Sequence, residues 1–393
     1  MSTISHRKNS AAQYRVRGSD LAVGKPAPYS IFDTYDRLML RSGSIVKSDQ
    51  QRKTLIQTGR VRPESTGEAV PVPTAAPSGR FGAGDDDAGD FDPFQEFHRC
   101  ATLLKQAFTH LTKGPDGLDK RMDVIIARLG NLIDTDPDAA LGAAHIDRDF
   151  PSRIVHPIRQ AILCDVVARA ASLSPTSRCG LVGAALTANI GMLDLQAVLD
   201  HQAGPLSEDQ REGIREHPER SADLLLRGGI SDELWLRAVR QHHERFDGSG
   251  YPAGLEGDAI GDEAAILMLA DTYMAMVTPR AHKEARAIRD ALRELLANAG
   301  RKYHEQLTGR FIKEIGVFPP GTYVGLSNKE VGVVVQRGSD GTKPLVYIFI
   351  GPDGLPRKGA GHLNLSEGDV EIARVFRKEE IAIPFKPAPA WGY

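Results

Sequence analysis

His242-His243-Glu244-Arg245-Phe246-Asp247-Gly248-Ser249-Gly250-Tyr251-Pro252 sets two adjacent histidines and an acid before a loop that two glycines free and a proline pins. Neutral imidazoles are good ligands for a borderline transition metal. Gly248 and Gly250 allow positive φ and close backbone approach to a ligand, and Pro252 fixes the exit of the loop. The plain alternative is a polar helix end running into a turn.

The order His-His-Glu, three residues, then Gly-x-Gly-Tyr-Pro resembles the signature of the HD-GYP family, bacterial metal-dependent phosphodiesterases acting on cyclic di-GMP. Other positions extend the likeness over roughly residues 93–320. His217-Pro218, in the helical stretch Glu212–Leu226, is similar to the family's "HP" ligand. His156, in Pro151–Ala171, is similar to the first histidine of its opening helix. Asp271, in Ala264–Val277, resembles the aspartate of its "aDvyDA" segment, and Arg280 and Lys283 resemble basic positions that contact phosphate. The resemblance implies a mainly α fold, a helical HD-type phosphohydrolase domain flanked by small β-rich N-terminal and C-terminal modules. It implies a metal set of His217, His242, His243, Asp271 and His156, and a ligand set of Tyr251, Arg280, Lys283 and Gly250.

One motif departs from the family. Where it reads "AALLHDIGKIGIP", this chain reads Ala184-Ala185-Leu186-Thr187-Ala188-Asn189-Ile190-Gly191-Met192-Leu193-Asp194-Leu195-Gln196. The His-Asp pair has become Ala188-Asn189, and the lysine has become Met192. Ser152 and Met274 also stand where acids occur in family members. A two-metal phosphodiester site needs a bridging anion to hold both cations and activate water. Asn189 is neutral and offers one carbonyl oxygen; Ala188 offers nothing. Losing even an outer hydrogen-bonding partner costs about 10–100-fold in metal affinity. The expectation is one weakly held divalent metal, iron or manganese, or none, on His217, His242 and His243. His156 and Asp271 remain from the second position. No catalytic residue is assigned.

Each residue also has a plainer account. Asp271 lies in the apolar run Ala264–Ala270 and would be costly there unless paired. His156 is a single histidine on an amphipathic helix; Arg280 and Lys283 suit a solvated helix end. Tyr251 fits either a packed aromatic or a face for a purine.

Two function classes follow. One is a receptor that keeps the family scaffold, binds cyclic di-GMP or a diguanylate cyclase or other signalling-domain protein, and turns over slowly or not at all. The other is an active phosphodiesterase with a rebuilt site, in which Asn189, Asp194 or water replaces the lost ligands; a different anionic nucleotide is a lesser option. Asp194 lies more than one helical turn beyond Asn189, too far to share a metal with it. A homodimer is compatible with either.

Bulk properties bound the rest. The 393 residues give room for two to three domains at ~100–200 residues each. Forty-nine basic against fifty-one acidic residues argues against a nucleic-acid polymer as partner. Cys100, Cys164 and Cys179 suit free thiols in a reducing cytoplasm. No apolar run approaches the ~18 residues of a membrane span, and Met1–Ala11 lacks the apolar segment of a signal peptide.

Along the chain, residues 1–17 are expected to be disordered. Residues 18–61 form a small β-rich module closed by a helix from Ser48 to Gly59. This end is locally basic, with eleven Lys/Arg against four Asp/Glu in the first sixty residues. Residues 62–92, with Asp85-Asp86-Asp87, read as a flexible linker. Helical periods then run from Phe94 to about Ile315, with a second helix at Arg121–Asp134, within a domain at 93–317. Tyr323–Leu326, Glu330–Gln336 and Leu345–Ile350 read as strands of a small β extension at 318–376, and 377–393 as a tail.

Overall fold

The computed structural model describes residues 14–15, 21–27, 30–32, 38–41, 44–58, 60–61, 91–146, 149–279, 285–338, 341–381, 383 and 385–393. The chain divides into two compact units, Met1–Asp86 and Asp87–Tyr393.

In the first unit, strands β1 (Tyr14–Arg15), β2 (Ile31–Phe32), β3 (Leu38–Leu40) and β4 (Arg60–Val61) form an antiparallel sheet in the order β1-β4-β2-β3, with helix α1 (Asp49–Thr58) between β3 and β4. Leu21, Ala27, Ile31, Val46 and Leu55 make its core. Tyr14–Arg15 pairs with Arg60–Val61, which corrects the expectation of disorder for that part of residues 1–17. The rest of 1–17, and linker residues 62–90 with Asp85–Asp87, lie outside the described residues.

The second unit is helical. Asp92 starts α2 (Pro93–Leu111), its carboxylate accepting from the amides of Phe94 at 2.8 Å and Gln95 at 3.3 Å. Then come α3 (Leu118–Thr135), α4 (Pro137–Ile146), α5 (Ser152–Ala170) and α6 (Pro175–Thr187). A 3-10 turn, Ile190–Met192, leads into α7 (Leu193–Leu199). After it follow α8 (Glu208–Arg227), α9 (Glu233–Gln241), α10 (Asp262–Val277), α11 (Ile288–Ala297) and α12 (Glu305–Ile315). α5 and α10 run through the interior, buried on nearly every face, so neither shows a one-sided apolar stripe.

Two helix boundaries differ from the sequence reading, and so does one apolar run. α3 and α8 each begin earlier than expected, α8 because Ser207 and Gln210 form a reciprocal capping box. Pro175–Leu199 has the length and mean hydropathy, 1.4, to pass as a membrane span, contrary to the expectation that no apolar run comes near. That apolarity serves the core instead: Leu181–Thr187 is buried, and the segment breaks at Ala188-Asn189 into α6, the turn and α7.

The chain closes with an antiparallel sheet of β5 (Tyr323–Leu326), β6 (Val331–Gln336), β7 (Leu345–Ile350), β8 (Pro356–Asn364) and β9 (Ile372–Phe376), ordered β8-β7-β6-β5-β9. β8 and β9 escape a propensity reading; β8 carries Gly359 and Gly361, which strands disfavour. Arg337, beside β6, bonds Asp138 of α4 at 2.5 Å and ties the sheet to the helices. The expected tail is folded: in α13 (Pro387–Trp391) the Trp391 ring meets Phe94 edge-on at 5.1 Å and fills the space left by Gly142.

Candidate functional site

His217 belongs to a stripe of buried positions on α8, with Gly213, Ser221 and Leu225 four residues apart. Proline at 218 has no N–H, so the carbonyl of Ile214, four residues back, loses its helical donor. The His217 ring takes that place, Nδ1 lying 2.5 Å from the Ile214 oxygen. His242 does the same at the end of α9, with Nδ1 2.6 Å from the Val239 carbonyl, which the ending helix leaves unsatisfied. Each carbonyl fixes its histidine with the proton on Nδ1 and the Nε2 lone pair free.

Those two Nε2 atoms face one another at 3.2 Å. Two lone pairs at that distance repel unless a proton or a cation lies between them. Burial, then the neighbouring His242, pushes the His217 imidazole down to about 3, and burial also lowers His242. A shared proton is therefore disfavoured, and a metal ion is the group that suits the pair. His243 completes the set: one ligand atom from each of the three histidines lies within 4.8 Å of the others. This donor set fits a single divalent transition metal, which supplies Lewis acidity when bound.

His243 is set by the loop that follows. Its ring lies between His242, at 4.0 Å, and Tyr251, stacked at 4.7 Å and 28°. The buried carboxylate of Glu244 accepts from the amides of Ala253 at 2.7 Å and Leu255 at 3.0 Å, while the Tyr251 amide donates to the His243 carbonyl at 3.2 Å. Gly248 has the left-handed φ of 72°. Gly250 serves by close approach instead: a Cβ there would sit 2.3 Å from the Arg245 nitrogen. The Tyr251-Pro252 peptide is cis. Tyr251, which the sequence leaves open between a packed aromatic and a face for a purine, stacks on His243 and also lines the cavity. Burial keeps its phenol protonated.

Across the cavity, His156 on α5 bonds Asp271 of α10, Nε2 to Oδ1 at 3.1 Å. The amide of Gln160, one turn beyond His156, donates to the same oxygen at 2.6 Å. Burial alone would push the Asp271 carboxyl up; the hydrogen bond with His156 and the charges of His243, His156 and His242 together outweigh it and hold the group well below the usual carboxylate range. Gln160 was not foreseen, although its i+4 spacing from His156 was visible.

Ala188 is fully buried, and its carbonyl accepts from the Ser221 hydroxyl at 2.7 Å. The Ser221 oxygen in turn accepts from the Gly191 amide at 2.9 Å, so the turn after α6 is clasped to the His217 helix. Asn189 and Met192 both line the cavity. Asp194 is exposed and lines a different cavity, apart from Asn189 as its spacing implied. Arg280 and Lys283 lie outside the described residues.

The structure thus gathers His156, Asn189, Met192, His243, Tyr251 and Asp271 around one cavity of about 410 Å³. Apolar side chains, including Leu199, Leu206, Ile214 and Ala275, complete much of its wall. Such a space, apolar with a few convergent polar groups, suits a small ligand.

Residues 137–307 match the family model described as an HD domain. The chain is 27% identical over 286 residues to the cyclic di-GMP phosphodiesterase PA4108 of Pseudomonas aeruginosa, covering 68% of this chain and 66% of the relative. It is 41% identical over 102 residues to the cyclic di-GMP phosphodiesterase response regulator RpfG of Xanthomonas campestris pv. campestris, covering 25% of this chain and 27% of the relative. The chain spans less than two thirds of the length of either. Among solved structures, a HDG"Y"P protein from Bdellovibrio bacteriovorus is similar at a TM-score of 0.48 and 15% identity, covering 76% of this chain and 97% of that one. Residues 137–307 thus form an HD domain, similar over this region to cyclic di-GMP phosphodiesterases, and Ala188-Asn189 lies within it.

Proposed function

We propose that this protein is a degenerate HD-GYP protein of cyclic di-GMP signalling, a receptor or regulator that holds the nucleotide or a signalling-domain partner and hydrolyses weakly or not at all. One observation carries the proposal: a complete three-histidine cluster stands beside a position where alanine and asparagine replace a histidine and the bridging carboxylate. His217, His242 and His243 would hold one divalent metal, iron or manganese, weakly or not at all. With no anion to bridge two cations, the shared, activated water of a two-metal site is lost. His156 and Gln160 fix Asp271, and the GYP loop holds Tyr251 at the cavity wall.

A second reading, an active phosphodiesterase producing linear dinucleotide or GMP, is favoured by the intact histidine trio. Elemental analysis beside a hydrolysis assay with added manganese or iron separates the two. On the receptor reading, calorimetry gives measurable cyclic di-GMP binding, and Arg280→Ala weakens it about tenfold or more by removing a charge-assisted phosphate contact. No heat from a folded sample at high ligand concentration would leave only a protein partner, such as a diguanylate cyclase domain.

A further inference from the structure

The short helix α7 ends against the cavity, and Gln196 and Asp200, one turn apart, both line it, with Leu199 beside them. Neither side chain has a hydrogen-bond or ion-pair partner among the described residues. Gln202, farther along, is different: its amide bonds Gln210 and the Pro205 carbonyl, so it holds the loop together. Asp200 also occupies the C-cap of α7, the end where the helix dipole disfavours an anion. Its carboxylate gains nothing from its own helix and belongs to no metal-binding group, since His217, His242 and His243 are the cluster found among the described residues.

An unneutralised carboxylate repels phosphate and attracts N–H donors. The Watson–Crick edge of guanine presents two such donors side by side, N1–H and the N2 amino group, matched to the two oxygens of a carboxylate. Adenine has an acceptor at N1 and no amino group at C2. The carboxamide of Gln196, one turn back, has an N–H donor of the kind that guanine O6 accepts. The histidine end of the cavity, where a cation fits, is the end for phosphate; the α7 end is the end for a base.

We propose that Asp200, with Gln196 beside it, reads the guanine edge of a bound cyclic dinucleotide and makes the cavity selective for guanine over adenine. This rests on the cyclic-dinucleotide reading above. Asp200 and Gln196 are half-buried, and a base seated on them would cover them; a hydrogen-bonding edge so covered rejects the analogue that lacks the matching groups.

The test is calorimetry on the full-length protein with cyclic di-GMP and cyclic di-AMP, using wild type, Asp200→Asn and Asp200→Glu, with thermal unfolding and metal content measured on each. Wild type is expected to prefer cyclic di-GMP. Asp200→Asn should lose about tenfold or more of that affinity while leaving cyclic di-AMP and metal content unchanged, and Asp200→Glu should recover part of the preference. An unchanged preference in folded Asp200→Asn would overturn the base assignment alone, as would a loss of metal in that variant. Wild-type protein that binds neither dinucleotide would overturn the cyclic-dinucleotide reading and this assignment with it.

Discussion

His217 and His242 aim their Nε2 atoms at each other across 3.2 Å, each ring locked by a backbone carbonyl on its Nδ1 side. Two facing lone pairs favour something electropositive between the rings, and burial disfavours a proton there. The geometry that suits a metal on this pair is therefore set by the local backbone, in which Pro218 frees one carbonyl and the end of α9 frees the other.

Elemental analysis of anaerobically purified protein should give fewer than two transition-metal ions per chain. His242→Ala should remove most of what is bound, because it deletes one of the two facing donors. A full pair of metals per chain would show that the second position is intact without its bridging carboxylate.

Hydrolysis of cyclic di-GMP should be far slower than in a family member with the His-Asp pair. Recovery, if any, should need Ala188→His together with Asn189→Asp. Position 188 is fully buried, so the larger side chain should also lower stability by about 1–3 kcal/mol through overpacking. Vigorous wild-type turnover that His242→Ala abolishes is the result that would contradict this.

Glu244→Ala should loosen the GYP loop. It leaves the amides of Ala253 and Leu255 without their acceptor, at about 1–3 kcal/mol for each donor that stays buried. Thermal unfolding should shift downward, and amide hydrogen exchange at residues 251–255 should quicken relative to the rest of the second unit. Unchanged protection there would mean that another group holds the loop.

A thiol reagent at pH 8 should modify one cysteine in the folded protein and three after denaturation. Burial pushes the Cys100 thiol up to about 12 and also raises Cys164, whereas Cys179 is exposed. The thiolate is the reactive form and appears only as pH rises through the pKa. Cys100 and Cys164 should therefore stay protected in the folded protein even at pH 9. Mass spectrometry locating the label on Cys100 in native protein would contradict the packing of α2 on α3.

Much of the helical half was legible because its signals are local. Gly114-Pro115 marks the break between α2 and α3, and Phe97, Leu104 and Phe108 recur at the spacing of one helix face. The early start of α8 was equally local, in Ser207 and Gln210, and went unread. β8 and α13 were not legible in that way. Their residues suit strand or helix poorly, and they are held by partners far along the chain, β7 for one and Phe94 with Gly142 for the other.

The sequence by itself determined which donors exist: adjacent histidines before a glycine-freed loop, a histidine followed by proline, and alanine and asparagine where a histidine and a bridging acid would stand. Those are matters of residue identity at short spacing. Only the tertiary structure decided what the donors face. His217 meets His242 across 25 residues and Gln160 meets Asp271 across 111, while Asp200 looks into the same cavity from α7. Such meetings follow from how α5, α7, α8 and α10 pack against one another, and helix packing is fixed by whole buried faces that no short spacing in the chain encodes.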